Sequence, residues 1–272
     1  METKKLIFGT GVSSSKDYDG LKTVVRSAIE SGIYSFDTAP SYRTEAVLGR
    51  ILGELSDEMG IGREERHIQT KIDAWQMQES NGNIEKYVVS AMKQLGVEYL
   101  DALLIHWPVP EYFDRTWESF VKLRNDGIVR KIGVCNVRLR HLKKYMEFDT
   151  VPDLIQIERN PLRTCEKEIS FCHEHGIEVQ AYSPLCKMDE RLRDSEILRQ
   201  ISQERGKSLG QTALRWHIDT GVTPIFTSTK PQRVREYAGI FDFELSKEEI
   251  DKISSLNIDY KMYLESMACP GL

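Results

Sequence analysis

Leu95-Gly96-Val97-Glu98-Tyr99-Leu100-Asp101-Ala102-Leu103-Leu104-Ile105-His106 holds the end of one periodic pattern and the whole of another. Upstream, Ile84, Val88, Ala91, Met92 and Leu95 recur at helical spacing, which buries one face of a helix, and Gly96 supplies the stop. The run Leu100–His106 is apolar, short and bounded by turn residues, so it reads as a buried parallel strand. Trp117, Phe120 and Val121 then resume the helical pattern, which ends at Asp126-Gly127. Working outward in both directions, the same alternation recurs, with strands expected at 5–9, 34–38, 67–72, 100–106, 131–135, 154–159, 178–182 and 223–227. A strand-then-helix repeat implies parallel strands joined by right-handed crossovers. Eight such units without a linker or low-complexity tract predict one α/β domain over residues 1–272, a single (β/α)8 TIM barrel. A doubly wound open sheet is the competing fold, and the missing GxGxxG fingerprint weakens it. After the eighth unit, Ser246 and Glu249 form a capping box, and Leu245 and Ile250 a hydrophobic staple. They predict an extra C-terminal helix running to about Leu256. Residues 258–272 are expected to be a short irregular tail folding over the barrel mouth as a lid.

Composition narrows the partners. A chain of 272 residues with 40% hydrophobic and 29% charged residues is ordinary for a soluble globular protein. The net charge of −5 speaks against nucleic acid or an anionic membrane surface, where a basic excess would be expected. The N-terminus carries no secretory apolar region, and no apolar stretch approaches the roughly 20 residues that cross a bilayer. The five cysteines form no CxxC pair, and their odd number suits reduced thiols. A cytoplasmic protein is expected, as a monomer with a homodimer as the alternative.

The chemistry gathers where strands end. Asp37, Tyr42, Lys71, His106, Asn136, Gln156, Tyr182 and Ser228 all fall at or just past an expected strand end, the rim at which barrel sites are built. A tyrosine with its ordinary pKa of about 10 exchanges protons poorly near neutrality. An ammonium beside it favours the phenolate, so Lys71 near Tyr42 is expected to lower that pKa and give a usable general acid. Asp37 would hold Lys71 charged and oriented, and His106 would donate a hydrogen bond to a carbonyl oxygen. This set fits reversible carbonyl reduction, in which an alkoxide must be protonated as hydride arrives. Two other functions use the same residues: a Schiff-base lyase with Lys71 as nucleophile, and a non-catalytic cofactor-sensing subunit. His173, Glu174 and His175 end a helix before Gly176, where cationic side chains suit the dipole, so no metal site is expected. Trp216 and His217 read as packing residues, Cys165 and Cys172 as free thiols, and Arg138, Arg140, Lys143 and Lys144 as a solvated helix face.

A family resemblance runs through these segments. Phe36-Asp-Thr-Ala-Pro-Ser-Tyr42 with Glu45 and Gly49, Leu104-Ile-His106-Trp-Pro108, Ile132-Gly-Val-Cys-Asn136, Gln156-Ile-Glu158, Ala181-Tyr-Ser-Pro-Leu185 and Ala213-Leu-Arg-Trp216 resemble the aldo-keto reductase family, in its order and over nearly the whole chain. The resemblance implies a nicotinamide cofactor bound without a Rossmann domain and a small carbonyl or alcohol substrate. It assigns Tyr42 as proton donor, Lys71 and Asp37 as its tuning pair, and His106 as the carbonyl-orienting residue. Asn136 and Gln156 would hold the nicotinamide carboxamide and Tyr182 would stack on the ring. Thr10, Ser183 and Leu185 are placed with the cofactor as well, and Trp75 and Trp107 as walls of the substrate pocket. For the phosphates it implies Thr227, Ser228, Thr229 and Arg233, where Pro231 opens a helix after the eighth strand. NADP(H) is expected, with NAD(H) as the alternative because Thr227 stands where NADP-preferring members usually have lysine. Cys135 replaces a common serine, which should weaken one amide contact. The loop Gly11–Ser15 lacks an aromatic residue that many members have, which should open the pocket. The short loop from Cys186 to Asp194 is expected to form no long belt over the pyrophosphate.

Overall fold

The computed structural model describes residues 5–11 and 17–263. Its strands are β1 (Ile7–Gly9), β2 (Ser35–Asp37), β3 (His67–Ile72), β4 (Leu100–Ile105), β5 (Val129–Cys135), β6 (Leu154–Glu158), β7 (Glu178–Tyr182) and β8 (Thr223–Phe226). They close into a barrel in the order β1 to β8, every neighbouring pair parallel, including β8 with β1. The helices are α1 (Tyr18–Glu30), α2 (Glu45–Met59), α3 (Ala74–Glu79), α4 (Glu85–Leu95), α5 (Pro110–Asn125), α6 (Leu139–Tyr145), α7 (Glu166–Glu174), α8 (Glu190–Arg193), α9 (Glu196–Arg205), α10 (Leu209–Asp219), α11 (Pro231–Ala238) and α12 (Lys247–Ser254). This is the expected (β/α)8 architecture. Strand limits differ from expectation by a residue or two: β1 begins at Ile7 and β5 already at Val129. Those limits are set by where a neighbour pairs, as Val129 does with Leu100, and not by local hydrophobicity.

Alternation along each strand separates two environments. Outward-facing Leu103, Ile105, Ile132, Val134 and Ile155 pack against helix residues such as Phe120 and Leu142 in the main core. Helices end where the pattern stops; Gly96 closes α4 in the left-handed region at φ 66°. Gly49 in α2 meets α4 so closely that a Cβ there would lie 2.3 Å from the Gln94 carbonyl oxygen. Inside the barrel, Ala102, Leu104, Cys135 and Leu154 form a small apolar cluster. Next to it lies a polar layer. Gln69 and Gln180 exchange hydrogen bonds at 2.8 and 2.9 Å, and Gln156 donates to Gln180 at 3.1 Å.

The added helix α12 begins as expected, with Ser246 Oγ accepting from the Glu249 amide and the Glu249 carboxylate accepting from the Ser246 amide. It ends at Ser254, earlier than Leu256, as Ser255 and Leu256 turn away. It packs over Trp216, Leu198 and Ile201 of α9 and α10 in a second apolar cluster. The chain then runs back to the barrel rim. Ile258 and Tyr260 amides donate to the Leu162 carbonyl at 3.1 and 3.0 Å, and those of Met262 and Tyr263 to the buried Glu158 carboxylate at 2.7 and 3.1 Å. The remainder of the expected lid, and residues 12–15 of the loop expected to open the pocket, lie outside the described residues. Among the described residues no helix is long and apolar enough to cross a membrane. Cys135, Cys165, Cys172 and Cys186 are free thiols.

Candidate active site

Asp37 closes β2 and Lys71 stands one residue from the end of β3, both on the inward face. Lys71 Nζ lies 2.8 Å from each carboxylate oxygen of Asp37 and 3.0 Å from the Thr38 carbonyl, in a fully buried position. Burial works against the ammonium, but Asp37 and then Tyr42 outweigh it and hold its pKa above the ordinary value. A Schiff-base nucleophile must be neutral and reachable, and Lys71 is neither.

Tyr42 ends a tight turn, Pro40–Tyr42, that is anchored from below. Thr44 shares hydrogen bonds with Thr10 at 2.8 Å and Thr38 at 3.0 Å, and the Thr10 hydroxyl donates to the Asp37 carbonyl at 3.1 Å. The Lys71 ammonium sits 4.9 Å from the centre of the Tyr42 ring, and His106 meets that ring edge-on at 5.6 Å. Burial drives the Tyr42 pKa up, Lys71 opposes it, and Asp37 sides with burial; the net direction is upward. Lys71 pulls the phenol down as expected; the expected net fall is corrected, because burial is the larger effect. The ammonium only moderates a larger desolvation effect, and Tyr42 keeps its proton through the neutral range.

His106 follows β4, its amide donating to the Ile72 carbonyl at 2.9 Å. Its Nδ1 lies 2.5 Å from Asp73 Oδ1. Asp73 also accepts from the Ser41 amide at 2.8 Å and the Ser41 hydroxyl at 3.2 Å. Burial lowers the His106 pKa, Asp73 opposes it and Lys71 reinforces it, leaving the imidazole below its usual value. Burial raises the Asp73 pKa, but His106 and Ser41 outweigh it and keep the carboxyl low. Asn136, in the left-handed region at φ 59°, donates from Nδ2 to the His106 carbonyl at 2.8 Å and accepts from the Tyr182 hydroxyl at 2.7 Å. Gln156 donates from Nε2 to Asp37 at 3.1 Å. Burial pushes the Cys135 thiol well up, so it stays protonated beside Asn136.

A cleft of about 810 Å³ opens over this rim. Asp37, Tyr42, His106, Trp107, Asn136, Gln156, Tyr182, Ser183 and Leu185 line it, and Thr227 and Arg233 line the β8 side. Lys71 lies behind Tyr42. Thr10 is fully buried, and its hydroxyl is spent on the network beneath Tyr42. Trp75 is 51% exposed on α3, edge-on to Tyr87 and away from the cleft, because the helical phase turns it outward. Ser228 closes its own turn, accepting from the Lys230 amide at 3.0 Å, and neither Ser228 nor Thr229 borders the cleft. The structure adds Asp73, Lys187, Tyr237 and Tyr263, which were not singled out in the sequence. Lys187, Tyr237 and Tyr263 border the cleft, Lys187 from the turn Cys186–Met188 after β7, where no long belt forms. Asp73 reads in sequence as an ordinary residue before a helix, and only the register of β3 against β4 brings it to His106. Among the described residues no group of three or more His, Cys, Asp or Glu side chains is placed to hold a metal.

The site is thus a closed parallel barrel with a buried Asp–Lys pair under a tyrosine and a histidine edge-on to that ring at the same cleft. Residues 5–258 match the sequence profile of the Aldo/keto reductase family. The chain is 36% identical to glyoxal reductase of Bacillus subtilis over 94% of this chain and 90% of that protein. It is 31% identical to methylglyoxal reductase of Escherichia coli (strain K12) over 92% and 88%. An aldo-keto reductase of Bombyx mori in complex with NADP superposes with a TM-score of 0.88 at 30% identity, covering 96% of this chain and 92% of that one. The chain belongs to the aldo/keto reductase family.

Proposed function

We propose that the protein reduces small aldehydes and ketones, reactive dicarbonyls such as glyoxal and methylglyoxal among them, with NADPH. The observation that carries this reading is the Tyr42 phenol, protonated, set over the buried Asp37–Lys71 pair and facing His106 at the mouth of the cleft. The dicarbonyl class is suggested by the relatives named above, which are reductases of those compounds.

The residues present fit an extended dinucleotide. At the rim, Tyr182 offers an aromatic face, and Asn136 and Gln156 offer amides. At the far end, α11 begins with Pro231, and the positive end of its dipole points to the β8 side, where it favours a phosphate. Arg233 and Lys187 face the cleft and make no ion pair among the described residues. Arg233 is the side chain that suits a 2′-phosphate, which favours NADP(H) over NAD(H) despite Thr227. The nicotinamide supplies the hydride when bound. The chain's own part is the proton. Lys71 stabilises the phenolate that Tyr42 becomes as it protonates the nascent alkoxide, and Asp37 keeps Lys71 cationic. Trp107 walls the substrate side.

Absorbance at the reduced nicotinamide band, with glyoxal, methylglyoxal and a panel of aldehydes, ketones and sugars, tests the reading. Consumption of NADPH with a higher apparent affinity than for NADH is expected. Turnover of none of these carbonyls would refute the reductase reading, and a preference for NADH would refute the cofactor assignment.

A further inference from the structure

We propose that Asp73 fixes the tautomer of His106, placing the ring proton on Nδ1, so that the nitrogen facing the cleft accepts a hydrogen bond while neutral and donates one only as imidazolium. The kinetic consequence rests on the reductase reading; the tautomer itself does not.

The argument begins with what each atom of Asp73 can do. Oδ2 is held by the Ser41 backbone amide at 2.8 Å, and Oδ1 takes the Ser41 hydroxyl at 3.2 Å while facing His106 Nδ1. An ionised carboxylate has no proton to give, so the hydrogen between Oδ1 and Nδ1 must belong to the imidazole. That leaves a lone pair on Nε2 in the neutral ring. The ring borders the cleft, and Nε2 has no hydrogen-bond partner among the described residues.

The charges around the ring come from four elements. Asp73 lies at the start of α3, Lys71 on β3, Asp37 on β2 and Tyr42 on the turn Pro40–Tyr42; from β5 only the neutral Asn136 amide reaches it, on the backbone carbonyl. The carboxylates favour the cation, while Lys71 and burial oppose it. Asp73 is thus a positioning residue with a directional effect. A carbonyl oxygen arriving between Tyr42 and a neutral His106 meets one donor and one lone pair. With imidazolium it meets two donors. An alcohol presents its own O–H, which the neutral ring accepts. In reduction the carbonyl carbon takes the hydride of the reduced nicotinamide and its oxygen takes the Tyr42 proton, while His106 keeps its own.

Asp73→Asn tests this. The Ser41 amide requires an acceptor, so the Asn oxygen takes that side and its Nδ2 falls opposite His106 Nδ1. There it donates, moving the ring proton to Nε2. In histidine-labelled protein without substrate, with His106 assigned through His106→Gln, ring ¹⁵N shifts should show the Nδ1–H form in the wild type and the Nε2–H form in Asp73→Asn. In the wild type, kcat/KM for reduction should fall about tenfold per pH unit above the His106 titration while alcohol oxidation rises; Asp73→Asn should lose that dependence. A wild-type ring protonated at Nε2, or a variant with unchanged shifts and pH profile, would overturn the proposal. The wild-type spectrum decides even if the variant does not fold. The exchanged tautomer without turnover of any carbonyl supports the proposal and refutes the reductase reading instead.

Discussion

Replacing Lys71 with methionine separates a stability effect from a catalytic one. The ammonium makes three short contacts, two to Asp37 at 2.8 Å and one to the Thr38 carbonyl at 3.0 Å, all out of contact with water. Methionine fills the space but leaves the Asp37 carboxylate buried without its counter-charge. Removing one partner of a buried pair costs about 3–5 kcal/mol. Here the lower part of that range applies, because Gln69 at 2.7 Å and Gln156 at 3.1 Å still donate to Asp37. A loss of about 3 kcal/mol corresponds to a Tm lower by roughly 5 °C for a chain of this size. Urea unfolding followed by circular dichroism, with thermal scans alongside, measures it. The double variant Asp37→Asn/Lys71→Met removes the orphaned charge and should regain at least half of the lost stability, while remaining inactive. A single variant within about 1 kcal/mol of the wild type, or a double variant no more stable than the single one, would refute the buried-charge account.

Tyr42→Phe should lower carbonyl reduction by roughly 10²–10⁴-fold while leaving dinucleotide affinity, read by fluorescence quenching, near the wild-type value; near-normal turnover would remove Tyr42 from its role. Gly49→Ala drives a methyl against backbone, 2.3 Å from the Gln94 oxygen and 2.6 Å from Leu95 Cα, and should cost about 1–3 kcal/mol in urea unfolding. His217 accepts from Arg159 at Nδ1 (2.8 Å) and faces the Pro184 carbonyl with Nε2, and burial followed by Arg159 holds its pKa well below the usual value. The unfolded chain therefore binds a proton that the folded ring refuses, so stability should fall as pH drops below about 6.5, by about 1.4 kcal/mol per pH unit for this group. His217→Gln should flatten that slope, and an unaltered slope in pH-dependent unfolding would count against the assignment.

The strands were legible because each is a short apolar run between turn residues, and the helices because Leu95-Gly96 and Ser246-Glu249 mark their ends chemically. His106 could be found because a polar residue directly after the apolar run Leu100–Ile105 stands out, and Lys71 and Tyr42 because they lie at or just past an expected strand end. Asp73 could not. Two residues past Lys71, it has the look of any turn former, and its meaning comes from a neighbour 33 residues away. Gln69 and Gln180 interrupt strands at positions in phase with Lys71 and Tyr182, a signal that identifies the inner face once the barrel is known. Thr10 and Trp75 show the opposite error. Each has the right residue type in the right segment, but the one is sealed under the Tyr42 turn and the other is rotated outward on α3. Segment and face are separate facts, and only the first is local. The sign of the Tyr42 shift also escaped, because its cause is burial by the whole rim.

The glutamine layer constrains how the barrel assembles. Asp37 and Gln69 belong to the first four strands, Gln156 and Gln180 to the last four, and three hydrogen bonds join the two sets across the barrel. In a half-barrel of β1–β4 the Gln69 amide would keep its bond to Asp37 and lose both bonds to Gln180; in a half of β5–β8, Gln180 would keep Gln156 and lose both bonds to Gln69. A buried hydrogen bond contributes a net of about 0.5–1.5 kcal/mol. This layer alone therefore couples the closing of one half to the other by roughly 1.5–4.5 kcal/mol. Fragments cut between Ile105 and Val129 would each forgo that coupling and regain it on finding each other.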